Sequence, residues 1–353
     1  MQPIDQTPYW KTLLPIIKSG AIQAVINGVY HYPYRINMYP GISCMFKCLY
    51  CGRNYDAVVK NSKNVFKQII EQDDGKDPER LNITGGLEPL TSPYINDICK
   101  DLSDKGYRSR MITNGFLLND KILSKNPYIN SLDHLRISLY GLDNNEYVTT
   151  TKHQKGWRVV KENLTNYNKR NDKTRLFLNY VLLPEHFNNL HSIVNYIEDI
   201  GGINNLSLRE DFTFQYEINN RNKLRDSLLR FNEKIKSMNI TVDYGYALQQ
   251  LINGEDATLM RVTYKELRPK QSPQVKICVD PNGYIYSYLE AGFVDRPGAI
   301  RHALGNIVNS SVEQELKKQT EVQPMPDDIQ YMDAYNHLIE KYVYEQTAKN
   351  LLP

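Results

Sequence analysis

The sequence predicts an α/β fold: a partial (β/α)6 barrel followed by a C-terminal α/β cap that contains a β-hairpin. Two observations carry this. From about Tyr34 to Asp211, six short apolar runs alternate with stretches of helical periodicity. Such alternation is the pattern of βα units joined into a parallel sheet. Past Asp211 the rhythm stops, and "VKICVDPNGYIYSYLEAGF" gives two β-rich runs around Pro281-Asn282-Gly283, a hairpin turn. Six units fall short of the eight that close a barrel, so the sheet is expected to stay partial or open.

The strands are expected in "YRINMYP", "RLNITGG", "SRMITNG", "HLRISLYG", "TRLFLNYVLLP" and "NNLSLRED". Between them, "KNVFKQIIEQD", "SPYINDICKDLSDKG", "NDKILSKN", "KGWRVVKENLTNYNKRN" and "FNNLHSIVNYIEDIGG" read as helices. In the last, Leu190, Ile193, Val194 and Ile197 recur at helical spacing before a Gly-Gly stop. The domain reading is an N-terminal extension at 1–33, the barrel at 34–215, a bridging helix and connector at 216–270, and the cap with C-terminal helices at 271–353.

Composition narrows the class. The chain has 353 residues, 41% of them hydrophobic, enough for a large core. Its 43 basic and 40 acidic residues nearly balance, and no basic stripe stands out, so nucleic acid is not an implied partner. "MQPIDQTPYW" lacks the cationic and apolar regions of a secretory signal, and no apolar run approaches the ~18 residues a membrane span needs. Five unevenly placed cysteines do not make a disulfide framework. A cytoplasmic protein with reduced thiols, bound to no membrane, is the expectation.

Three of those cysteines, Cys44, Cys48 and Cys51, fall within eight positions in "GISCMFKCLYCGRNYDA". Thiolates bind soft metals. A structural zinc site wants four ligands, and no fourth Cys or His lies within roughly a dozen residues. Three cysteines suit a cubane iron–sulfur cluster with one iron left for an exchangeable ligand. Zinc and incidental clustering stay open beside that reading. The segment follows the first strand, so the loop belongs at the strands' carboxyl ends, where this architecture places active sites.

C-x3-C-x2-C with Tyr50 before the last cysteine resembles the signature of radical S-adenosylmethionine (radical SAM) enzymes. About 34 residues on, "NITGGLEPL" resembles the segment that binds the methionine amino group, with Thr84, Gly85, Gly86 and Glu88 as expected cofactor contacts. Here Gly-Gly-Leu-Glu-Pro is one residue longer than the commoner Gly-Gly-Glu-Pro. Asn114 in "ITNG", Ser138 in "LRISLYG", Asn179 and Arg209 fall where later strands of this family contribute further contacts. Without the resemblance, the Gly-Gly pair is a turn and Ser138 a packed strand residue. The resemblance spans roughly Tyr34 to Asp211. It implies a partial TIM-like barrel, one [4Fe-4S] cluster, S-adenosylmethionine, and an electron donor such as flavodoxin or ferredoxin. It also implies the reaction: reductive cleavage of S-adenosylmethionine to a 5′-deoxyadenosyl radical that takes hydrogen from the substrate.

"ICVDPNGYIYSYLEAGFVDRPGAIRHALGNI" resembles a SPASM/twitch-like segment in degenerate form. Cys278 stands at the first auxiliary-cluster position and no cysteine follows, so one cluster is expected. Cys278 has two readings, a buried apolar strand residue or a hydrogen-atom donor. Cys99 shares a helical face with Ile95, Ile98 and Leu102 and reads as core. Glu210 and Asp211 are acid/base candidates. Glu290, Arg296 and Arg301, with Asp295 and His302, are candidates for gripping a polar or phosphorylated substrate. His153 reads as a surface histidine.

The ~33 residues before the first strand are too few for a leader-peptide domain, which favours a small-molecule substrate. The likeness runs toward enzymes of sugars or sugar nucleotides in specialised metabolism, performing deamination, dehydrogenation, decarboxylation or epimerisation. A peptide-modifying radical SAM enzyme is the alternative, and a non-enzymatic metal-binding scaffold is an alternative of another class.

Overall fold

A computed structural model describes residues 10–51, 64–170, 174–210, 218–255, 273–287 and 299–318, with 339, 342–343 and 345–346. Among the described residues ten strands form one sheet: β1 (Arg35–Met38), β2 (Leu81–Ile83), β3 (Arg110–Thr113), β4 (His134–Leu139), β5 (Arg175–Leu182), β6 (Ile203–Glu210), β7 (Thr241–Tyr244), β8 (Lys276–Val279), β9 (Tyr284–Tyr286) and β10 (Gly305–Asn306). The helices are α1 (Trp10–Lys18), α2 (Ala21–Asn27), α3 (Val65–Gln72), α4 (Ile95–Asp104), α5 (Asp120–Lys125), α6 (Asn144–Thr151), α7 (Gly156–Lys169), α8 (Ser192–Ile200), α9 (Ile218–Ile235), α10 (Tyr246–Ile252) and α11 (Val312–Lys317).

The order across the sheet is β10-β9-β8-β1-β2-β3-β4-β5-β6-β7. From β1 to β7 each strand lies parallel beside its predecessor. Crossovers between parallel strands are right-handed, so an uninterrupted sequential order sends every connecting helix to one face. Among the described residues, none of these crossover helices lies on the other face. Burial alternates accordingly: along β4 and β5, Leu135, Ile137, Leu139, Leu176, Leu178, Tyr180 and Leu182 are buried with the helices' apolar residues. Arg136, Ser138, Phe177, Asn179 and Val181 alternate with them and line the open face.

All six expected strands are present, within three residues of their sequence limits. The sheet also carries a seventh parallel strand, β7, reached through α9 and paired with Asn205–Leu208. The hairpin forms as expected: Gly283 takes φ +84° and its N–H bonds the Asp280 carbonyl at 3.0 Å. Its first strand, β8, lies parallel to β1 with Ile36 opposite Ile277 and Asn37 opposite Cys278. The C-terminal segment thus extends the same sheet. Beneath that edge Leu13, Ile16, Ala21 and Ile22 of α1 and α2 pack with Val275 and Ile339. Among the described residues no helix is long and apolar enough to cross a membrane.

Candidate active site

The loop after β1 carries Cys44, Cys48 and Cys51, all unbridged; Cys48 is buried and the other two half-buried. Protein groups pin this loop on both sides. Thr91 Oγ1 accepts from the N–H groups of Ile42 and Ser43 at 3.0 and 3.2 Å. The amides of Lys47 and Leu49 donate to the carbonyls of Thr151 and Thr150, at the end of α6. Phe46 fills the interior, edge-on to Phe116, Tyr140 and Tyr147 at 5.5 to 5.8 Å. Tyr50 stacks on Tyr140 at 6.3 Å. Burial lifts the hydroxyl pKa values of Tyr50, Tyr140 and Tyr147, so this wall stays uncharged.

The glycine loop after β2 meets the cysteine loop backbone to backbone. Gly41 lies so close to it that a Cβ would sit 2.6 Å from the Leu87 carbonyl carbon. Gly86 takes φ +74° and lies against the Tyr39 ring. Gly85 faces open space, with nothing within 4 Å of where a Cβ would project. Its backbone is therefore free to meet a ligand beside the cysteines. Thr84 is buried and its N–H bonds the Met38 carbonyl at 2.9 Å.

Glu88, expected among the cofactor contacts, turns its carboxylate into the protein. Oε1 accepts from Thr113 Oγ1 at 2.5 Å and from the Leu90 N–H at 3.1 Å; Oε2 accepts from the Asn114 N–H at 2.8 Å. Burial raises its pKa while these three donors pull the other way. Its carboxylate ties the end of β2 to the end of β3. That role is invisible in a local motif because the partners lie on another strand.

Asn114 is held over the cysteine loop, its Nδ2 3.5 Å from Cys44 Sγ and 3.1 Å from Met45 Sδ. Ser138 and Asn179 stand side by side on the open face in one register row, continued by Ser207 and Asp243. Arg209 shares that face and is ion-paired with Asp243 of β7, a partner the sequence reading missed along with its strand.

Other expectations are corrected. Glu210 shares the parity of Leu206 and Leu208, on the helix side of β6. It is buried and its Oε1 accepts the Ala247 N–H, 3.2 Å away, at the start of α10. A carboxylate capping a helix from behind the sheet cannot reach a substrate on the open face, so Glu210 is no acid/base group there. His153 is half-buried rather than simply exposed: its ring packs against Phe46 and Phe116 at 5.4 and 4.8 Å, beside the cysteine loop. Cys99 is core, as expected, and Cys278 is fully buried between β1 and β9. Arg301 is exposed with its Nε donating to His302 at 3.2 Å. Asp211, Glu290, Asp295 and Arg296 lie outside the described residues.

Among the described residues no three His, Cys, Asp or Glu groups converge on a point that one metal ion would occupy. In a cubane each thiolate would bind a different corner iron. Three separate thiols against an uncharged wall, with the Gly85 backbone open beside them, fit a cluster and an adjoining amino-acid-bearing ligand. The fold and site therefore define a cluster-dependent enzyme built on an open parallel sheet.

The comparisons agree with that class and narrow it. The chain belongs to the radical SAM superfamily, whose sequence profile matches residues 38–197. It is 32% identical, over 358 aligned positions, to the dTDP-4-amino-4,6-dideoxy-D-glucose ammonia-lyase of Streptomyces venezuelae, covering 94% of this chain and 74% of that one. Streptococcus suis SuiB bound to precursor peptide SuiA superposes with a TM-score of 0.58 at 16% identity, over 88% of this chain and 70% of that one. The enzyme anSMEcpe with bound AdoMet gives 0.57 at 14%, over 91% and 94%. At these identities the structural likeness is one of fold: a mixed α/β architecture whose parallel sheet does not close. The protein is an enzyme that uses a [4Fe-4S] cluster and S-adenosylmethionine.

Proposed function

We propose that this radical SAM enzyme acts on a sugar nucleotide, removing hydrogen from the sugar and eliminating ammonia from an amino-sugar substrate. The observation that carries this reading is the 32% identity, over 94% of the chain, to an ammonia-lyase of a dTDP-linked amino sugar. When bound, cluster and S-adenosylmethionine supply a hydrogen-atom abstractor strong enough for an unactivated C–H bond.

The chain's part is placement. Cys44, Cys48 and Cys51 hold the cluster. The Gly85–Gly86 backbone takes the amino-acid end of the cofactor, Asn114 closes over it, and Ser138, Asn179 and Arg209 meet its remaining polar groups on the open face. Glu88 keeps the glycine loop and the Asn114 loop at fixed separation. The Phe46, Tyr140 and Tyr147 wall keeps bulk water from the reacting atoms. An electron donor of the flavodoxin or ferredoxin kind would serve as the reductant.

The test is anaerobic reconstitution, reduction, and assay of 5′-deoxyadenosine and ammonia with thymidine-diphosphate amino sugars. Stimulated 5′-deoxyadenosine together with ammonia release is the expected result. If no sugar nucleotide raises 5′-deoxyadenosine above its uncoupled rate while a peptide does, the substrate class is wrong and the enzyme modifies peptides.

A further inference from the structure

The open face carries charge that the cofactor reading does not use. Arg136 lies on β4 two residues before Ser138, in register with Ile112 of β3 and Phe177 of β5. Strand alternation puts it on the same face as Ser138 and Asn179. Among the described residues it makes no hydrogen bond or ion pair, and its Nε is shut off from solvent without a partner.

Its neighbours do not compensate it. Arg110 enters the same face one row below, opposite His134. The acids nearby are already engaged: Asp243 holds Arg209, and Asp133 holds both Arg175 and His134. Burial first, then Arg110 and Arg209, pull the Arg136 guanidinium down to about 10, with Asp243 pulling the other way. A half-buried guanidinium facing like charges is costly in an empty site, and an anion removes the cost. The planar fork matches two phosphate oxygens at once.

We infer that Arg136, with Arg110 beside it, seats the diphosphate of the substrate on the open face, below the cofactor residues. Two residues along a strand advance about 7 Å, roughly the span of a hexose ring. A sugar attached to that diphosphate then reaches the row of Ser138 and Asn179, where hydrogen is taken. The assignment rests on the sugar-nucleotide reading and adds where the nucleotide is gripped.

The test is calorimetric titration of the full-length, cluster-loaded enzyme, S-adenosylmethionine present, with thymidine diphosphate and with inorganic pyrophosphate. Thymidine diphosphate is expected to bind, more weakly as salt rises. Arg136→Gln should weaken it at least tenfold, and Arg136→Lys, which keeps a point charge, by less. Because Arg136 has no hydrogen-bond or ion-pair partner among the described residues, neither change should lower Tm; a structural arginine would lower it. Equal affinity of Arg136→Gln and the natural enzyme for thymidine diphosphate overturns the inference and leaves the sugar-nucleotide reading standing. Failure of both probes to bind the natural enzyme overturns it as well. Arg136-dependent pyrophosphate binding that a nucleoside does not strengthen supports the anion seat and removes the sugar nucleotide.

Discussion

Cys44, Cys48 and Cys51 share their chemistry with Cys99 and Cys278, and surroundings separate the two groups. The first three sit on a loop; the others are fully buried in a helix face and a strand. Burial pushes the Cys278 thiol up to about 12 and raises Cys99 as well, so neither carries appreciable thiolate at neutral pH. In the reconstituted enzyme at pH 8, iodoacetamide is expected to label neither until the chain is unfolded; mass spectrometry of the peptides checks it. Replacing any one of Cys44, Cys48 or Cys51 with Ala should take bound iron from about four per chain to near zero. Retention of a stable brown cluster by any of those variants would contradict the assignment. Cys278→Ala is expected to leave the product unchanged, as chiral chromatography would show; a product of altered stereochemistry would restore its reading as a hydrogen donor.

Two strand ends show how elements depend on single side chains. Glu88 satisfies three buried donors on two elements. Glu88→Ala orphans them, at a cost of about 2–4 kcal/mol, and lets the glycine loop drift. The expected result is a lower Tm with S-adenosylmethionine binding weakened more than in Glu88→Gln, which keeps an acceptor. At the other end of the sheet, His134 stacks on Phe177 at 4.2 Å and contacts Asp133 at 2.9 Å. Burial outweighs Asp133 and lowers the His134 pKa from 6.5 to about 4. Below pH 6.5 the unfolded chain takes up a proton that the folded chain refuses. The stability His134 contributes is therefore full above pH 6.5 and is lost as pH falls toward 4. His134→Asn should flatten that stretch of the stability–pH curve measured by urea unfolding; an unchanged slope would remove His134 as its source.

Across the whole molecule the two ends of the chain meet at one edge of the sheet. β8 covers the edge of β1, and α1 and α2 pack on Val275 and Ile339. A chain cut after residue 272 loses both, baring a central apolar strand as an unpaired edge. That fragment is expected in the insoluble fraction, or as an aggregate on size exclusion. A soluble, monomeric 1–272 fragment that still assembles the cluster would show the C-terminal segment to be a separable domain.

Much of this could be read from the chain alone. The six βα units, the cysteine loop and its place at a strand end follow from periodicity and spacing, which are local properties. Even Glu210's wrong face was available, since it shares the parity of Leu206 and Leu208. β7 was not legible: "TVDY" alternates exposed and half-buried residues over only four positions, too short a run to read, and it becomes a strand because Asn205–Leu208 offers it an edge. The turn of the hairpin was readable, but its berth beside Arg35–Met38 was not. Sequence by itself determined which segments are strands, helices and ligand loops, because short-range sterics and hydrophobic period decide those. Tertiary structure alone decided that Glu88 faces Thr113 and Asn114, that Arg209 meets Asp243, and that Arg136 has no such partner among the described residues, because strand register brings together side chains far apart in the chain.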